Sequence, residues 1–198
     1  MKMAILPILV ALSVVSVRGQ GIISYSVTFS GAAESPPNAS LGTGSGTVNY
    51  DSVNHLLQLQ AVFSGLSGTV SQTHIHGATA SPFAGTAGIA VGNTTLPGFP
   101  LGVTLGSYSN TLDLAQSSIF NTTYLANNGG TAAGAEAAFA AAMAAGKTYW
   151  NIHSTSVPGG EIRGFLTLVP EPSTLTLSGL GILGLAARVW CNQRARRS

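Results

Sequence analysis

Apolar and polar residues alternate with a period of two along several stretches of the chain, the spacing that places successive side chains on opposite faces of a strand. In residues 55–63, Leu57, Leu59, Ala61 and Phe63 alternate with Gln58, Gln60 and Val62. Thr43–Asp51 does the same with Gly44, Gly46 and Val48 against Ser45, Thr47 and Asn49, and Asp51-Ser-Val-Asn54 between the two runs is rich in turn formers. Two alternating runs across so short a turn predict an antiparallel hairpin. Ile22–Ser30, dense in β-branched and aromatic residues, predicts the opening strand. The prolines of Glu34-Ser-Pro-Pro37 predict a loop after it. Further strands are expected over Val70–His76 and, briefly, around Gly88-Ile-Ala-Val91.

The clearest strand–turn–strand unit comes late. Tyr149, Asn151 and His153 alternate with Trp150 and Ile152; Pro158-Gly-Gly160 supplies a turn; then Ile162, Leu166 and Leu168 alternate with Glu161, Arg163 and Phe165. Helical signals are sparse. Residues 112–125 have room for one turn, ended by Asn127-Asn-Gly-Gly130. Residues 131–145 are mostly Ala, with Glu136 near the start and Gly146 where a C-terminal cap is expected. Phe139 and Met143 are four apart and would dock this helix on a sheet. The pattern as a whole predicts a mainly β fold, an antiparallel Greek-key β-sandwich with one short Ala-rich helix.

Composition changes the reading at the two ends. Only 7% of the 198 residues are charged, and the net charge of +2 is misleading, because most cations are terminal. Between residues 20 and 169 only Lys147 and Arg163 stand against Glu34, Asp51, Asp113, Glu136 and Glu161, an excess of three acidic groups. Such a domain lacks the basic footprint of a nucleic-acid binder. Met1-Lys-Met3 followed by the apolar residues 4–17 predicts a secretory signal peptide over residues 1–19. The single cysteine, Cys191, lies outside the domain predicted over residues 20–168, so an exported domain of this kind is held by its core rather than by a disulfide.

Residues 169–198 run Val169-Pro-Glu-Pro-Ser173, an apolar stretch over 175–190, and Arg194-Ala-Arg-Arg197. The apolar stretch predicts a C-terminal membrane helix, and the terminal arginines would hold its far end in the cytoplasm. Pro170-Glu171-Pro172, a short membrane segment and a basic tail, in that order, resemble the PEP-CTERM sorting signal. The resemblance implies export in a Gram-negative bacterium and anchoring in the inner membrane through the C-terminal helix. It also implies processing by an exosortase-type enzyme, with release to the cell envelope or the extracellular space.

Four histidines carry the candidate chemistry. His74 and His76 are two apart on a predicted strand and so project from one face, and His153 lies on another strand of the same character. Neutral imidazole suits copper or zinc, and three such nitrogens make an incomplete coordination sphere. His55, at the start of its strand, is a weaker fourth candidate. Asn151, Glu161 and Arg163 are candidates to orient a histidine from behind, and Glu161 and Arg163, two apart, are placed to pair with each other. No nucleophile elbow, His-Glu-x-x-His helix or phosphate-binding loop is present.

Thr73-His-Ile-His-Gly77, the Ala-rich segment ending at Gly146-Lys147, Tyr149-Trp-Asn-Ile-His153 and Pro158-Gly-Gly-Glu-Ile-Arg-Gly164 together resemble a CHRD domain, the module first named in chordin, over roughly residues 22–168. That resemblance implies a β-sandwich-like extracellular module and assigns no activity. Two functional expectations follow. One is a non-enzymatic envelope or extracellular-matrix module for adhesion to a surface polysaccharide or protein. The other is a copper- or zinc-binding protein, redox-active or not, using His74, His76 and His153.

Overall fold

The computed structural model describes residues 21–170 and residue 181. The signal peptide and C-terminal membrane helix expected from the sequence, with Glu171 and Pro172 of the sorting triplet, lie outside those residues. Among the described residues no helix is long and apolar enough to cross a membrane.

The first three strands, β1 (Ile22–Ser30), β2 (Thr43–Asp51) and β3 (Leu56–Ser64), form an antiparallel meander. Their alternation holds as expected: Tyr25, Val27 and Phe29, then Val48 and Tyr50, then Leu57, Leu59, Ala61 and Phe63 are buried. β4 (Val70–His76) and the short β5 (Ile89–Val91) follow. β6 (Gly106–Asp113) pairs with β3 along its length and was not foreseen, since only Tyr108 and Leu112 mark its buried face. After two helices the chain returns as β7 (Tyr149–Ser154), β8 (Ile162–Phe165) and β9 (Thr167–Leu168).

These strands do not make the two packed sheets of a Greek-key sandwich. They hydrogen-bond into one nine-stranded antiparallel sheet in the order β5-β4-β7-β8-β1-β2-β3-β6, with β9 also against β1. The join between halves is narrow: Ser30 faces Arg163, and Tyr25 and Ser26 face Leu168 and Thr167. The sheet curls around its own apolar face. Trp150 of β7 packs edge-on against Phe29 of β1, ring centroids 5.4 Å apart, and against Tyr108 of β6 at 6.1 Å. Its indole N–H donates to the Thr73 hydroxyl at 2.8 Å, so the one polar atom of this buried ring is satisfied.

Two helices, rather than one, cover the core. α1 (Thr122–Asn127) begins at Asn121, whose side chain accepts from Thr123 and Tyr124 N–H groups. α2 (Ala132–Ala144) is capped by the Thr131 hydroxyl and buries Ala135, Phe139 and Met143, the face predicted from spacing. Gly146, at φ +65, closes it: Gly146 N–H reaches the Met143 carbonyl and Lys147 N–H the Ala142 carbonyl, the Schellman pattern that favours glycine. Glu136 ties the helix to the sheet by accepting from the Tyr50 hydroxyl at 2.9 Å and meeting His55 Nδ1 at 2.8 Å.

Candidate metal centre

The strand ladder assembles the site. β4 and β7 pair so that His74 lies opposite Asn151, His76 opposite Tyr149 and Gln72 opposite His153. Residues two apart share a face, so His74, His76, Tyr149, Asn151 and His153 occupy the side of the sheet away from Ile75, Trp150 and Ile152. β8 extends the rows, with Arg163 beside Asn151 and Phe165 beside Tyr149. The loops flanking β5, through Ala87 and Thr94, and the loop over residues 155–161, through Pro158, meet these rings, and His74 is only 2% and His76 9% exposed.

The three imidazoles meet. One nitrogen from each lies within 4.8 Å of the other two. The remaining nitrogen of each ring faces a backbone carbonyl: His74 Nε2 the Thr94 oxygen at 2.7 Å, His76 Nδ1 the Ala87 oxygen at 2.9 Å, and His153 Nδ1 the Pro158 oxygen at 2.8 Å. A carbonyl only accepts, so these ring nitrogens carry the hydrogens and donate. The lone pairs are therefore left on His74 Nδ1, His76 Nε2 and His153 Nε2, the atoms turned towards one another. Backbone carbonyls behind the rings are the usual means of fixing the tautomer of a ligating histidine.

Protonation of one ring would relieve the crowded lone pairs, but burial opposes it. Desolvation pushes His76 down to about 4 and holds His74 and His153 below the ordinary histidine value. At neutral pH all three are neutral bases. His74 Nδ1 and His153 Nε2 are 3.3 Å apart with no hydrogen between them. Two ligands on one zinc ion, each about 2.0–2.1 Å from it at the tetrahedral angle, are themselves about 3.3 Å apart. The separation is a poor contact between two bases and a good edge for a coordination sphere.

The neighbours divide. Tyr149 stacks on His76, centroids 4.7 Å apart and planes 3° from parallel, and its hydroxyl donates to the same Ala87 carbonyl at 3.3 Å. The Arg163 guanidinium lies 4.5 Å from the Tyr149 ring centre, a cation–π contact, and is anchored by the Ala33 and Gly85 carbonyls. Arg163 thus supports His76 through Tyr149. Its carboxylate neighbour is Glu34 at 3.7 Å, not the expected Glu161. Glu161 sits just before β8 and is fully buried; its Oε1 accepts from the Ser40 hydroxyl and Ser67 N–H, both at 2.6 Å. Burial raises its pKa, but hydrogen bonds from Ser154, Ser40 and Ser67 outweigh that and hold it low. It ties loops together away from the rings. Asn151, 3% exposed, places Oδ1 3.1 Å from His76 Nε2. His55 is remote from this cluster, occupied by Glu136.

Sequence reasoning did not foresee Tyr149 or Glu34. Tyr149 was legible as part of the His153 strand face, whereas nothing local links residue 34 to residue 163. Val169 N–H donates to the Ser24 carbonyl at 2.9 Å, so the hydrogen bonding of the sheet reaches the residue before the sorting triplet.

No significant match is found to a curated protein or to a solved structure. Family models match in two places: the CHRD domain over residues 25–166 and the PEP-CTERM protein-sorting motif over residues 168–189. The sorting motif marks the chain for export and for processing by an exosortase-type system of Gram-negative bacteria. The domain match spans most of the chain, including every residue of the histidine cluster, and the chain belongs to the CHRD domain family.

Proposed function

We propose that this exported CHRD domain binds one transition-metal ion, copper or zinc, through His74 Nδ1, His76 Nε2 and His153 Nε2. Of the two readings open to the sequence, the geometry favours this one over adhesion. The observation that carries it is the inward convergence of three unprotonated nitrogens whose opposite nitrogens all donate to backbone carbonyls. An exposed polar face would turn those lone pairs to water. Burial that keeps the rings neutral favours binding further, since a proton and a metal compete for the same lone pair.

The adhesion reading has a broader basis. The outer face of β1, β2, β3 and β6 forms a shallow groove of about 540 Å³ bearing Ser26, Thr28, Ser45, Thr47, Gln60 and Ser107. Its uncharged hydroxyls and the Gln60 amide suit a surface polysaccharide in general and select none in particular.

The test is calorimetric titration of the chelator-stripped, untagged chain with Cu(II) and Zn(II). One equivalent is expected to bind to the wild type. His74→Ala, His76→Ala and His153→Ala should each weaken binding at least tenfold while the chain stays folded. Undiminished stoichiometric binding in a variant lacking all three would refute the proposal.

A further inference from the structure

Asn151 occupies the middle of the cluster: it faces His74 across the β4–β7 ladder and lies two residues from His153 on its own strand. An orienting role behind His76 would require a hydrogen between them, and none is available. The His76 hydrogen is on Nδ1, committed to the Ala87 carbonyl, so Nε2 presents a lone pair. Asn151 Oδ1, 3.1 Å away, presents another. The tautomer of His76 is already set without Asn151.

The amide nitrogen faces away from the histidines. Gly160, at φ +127, leaves a space where a side chain would be. A Cβ there would lie 2.7 Å from Glu34 Oε1 and 2.9 Å from Asn151 Nδ2. Glu34 Oε1 is buried and has no hydrogen-bond partner among the described residues. The amide NH₂ lies on the Glu34 side and the amide oxygen on the side of the histidines.

We infer that Asn151 Oδ1 is a fourth donor to the metal held by His74, His76 and His153, completing a three-nitrogen, one-oxygen set. The inference rests on the three-histidine reading and extends it. Its Oδ1–Nε2 separation of 3.1 Å fits the edge of the same small coordination polyhedron as the 3.3 Å between His74 and His153. A neutral carbonyl oxygen is a hard donor, while Cu(I) is selected by soft sulfur ligands. The set accordingly favours divalent ions, Zn(II), Cu(II) or Co(II), over Cu(I). A fourth protein ligand also closes the sphere, the arrangement of sites that hold a metal rather than expose it to substrate.

The experiment uses the full chain, untagged and in detergent, titrated with Co(II) and with Cu(II), reading affinity together with Co(II) visible absorption and Cu(II) electron paramagnetic resonance. Asn151→Leu removes the oxygen at similar size and is expected to weaken binding about tenfold or more and to change both spectra. Asn151→Asp puts an anionic oxygen in the same place and is expected to bind at least as tightly as wild type with a four-coordinate Co(II) spectrum. Equal or tighter binding by Asn151→Leu with unchanged spectra would overturn the assignment. Should that variant fail to fold, weaker binding by a folded Asn151→Asp would overturn it instead. Absence of binding by the wild type would remove the three-histidine reading itself, an outcome distinct from either.

Discussion

Glu34 and His76 titrate in opposite senses, and their effects on stability should largely offset one another in the metal-free chain. Burial raises Glu34 from its ordinary 4.5 to about 7, with Arg163 pulling the other way. Between those values the folded chain binds the proton and the unfolded chain does not. The stability from Glu34 is therefore fully present below pH 4.5 and is lost as pH rises through about 7. Burial lowers His76 from 6.5 to about 4. In that window the unfolded chain binds the extra proton, so the contribution of His76 is present above pH 6.5 and is lost as pH falls towards 4. At 1.36 kcal/mol per pKa unit, each group accounts for about 3 kcal/mol.

Across pH 4.5–6.5 the two slopes oppose, leaving the smaller acid losses from His74 and His153, which are also held low by burial. Urea unfolding in chelator, followed through the buried Trp150, would read these slopes as midpoint shifts. Wild type should lose little stability from pH 6.5 to 4.5. Glu34→Gln should expose the histidine slope and lose about 3 kcal/mol more, a midpoint fall of about 1–3 M urea for a slope of 1–3 kcal/mol/M. His76→Gln should expose the opposite slope and gain stability on acidification. Comparing slopes within each variant removes the cost of the substitution itself. Parallel profiles in all three chains would refute the reasoning, because they would mean that neither buried group changes its proton affinity on folding.

Two further outcomes test the frame around the site. Phe29→Ala removes the ring that meets Trp150 edge-on at the narrow join of the sheet, and the expected loss is about 3–5 kcal/mol by the same urea assay, against less than about 1 kcal/mol for exposed Val62→Ala. Deleting residues 170–198 should abolish processing and alter the destination of the chain in cells, while the urea midpoint stays that of the wild type. Unaltered processing would refute the sorting role.

Most strands were legible because burial of one face writes itself into a sequence with period two, and β6 escaped because its buried face is only Tyr108 and Leu112. Sheet order was not legible. β1 pairs with β2 through a short connection but with β8 and β9 across more than a hundred residues, and no local pattern distinguishes two sheets from one that curls until its halves touch. The expected Glu161–Arg163 pairing failed for a related reason. Alternation places i and i+2 on one face only inside a strand, and β8 starts at Ile162, so Glu161 is aimed by the turn before it.

The histidines themselves were visible through the same alternation that makes the strands, but that alternation says only that His74 and His76 share a face; that His153 joins them follows from the β4–β7 register. Whether such a face is a solvated surface or a metal centre depends on where the ring hydrogens go. They go to carbonyls 20, 11 and 5 residues away in sequence, at Thr94, Ala87 and Pro158, positions whose side chains carry no mark of the role. Because a carbonyl acceptor is the backbone of any residue, the loops covering the site are free to vary in composition while keeping the tautomers. The strands determine which nitrogens are near one another; the covering loops determine that those nitrogens are bases. A substitution in these loops that moved a carbonyl without touching a histidine would therefore weaken the site as effectively as removing a ligand.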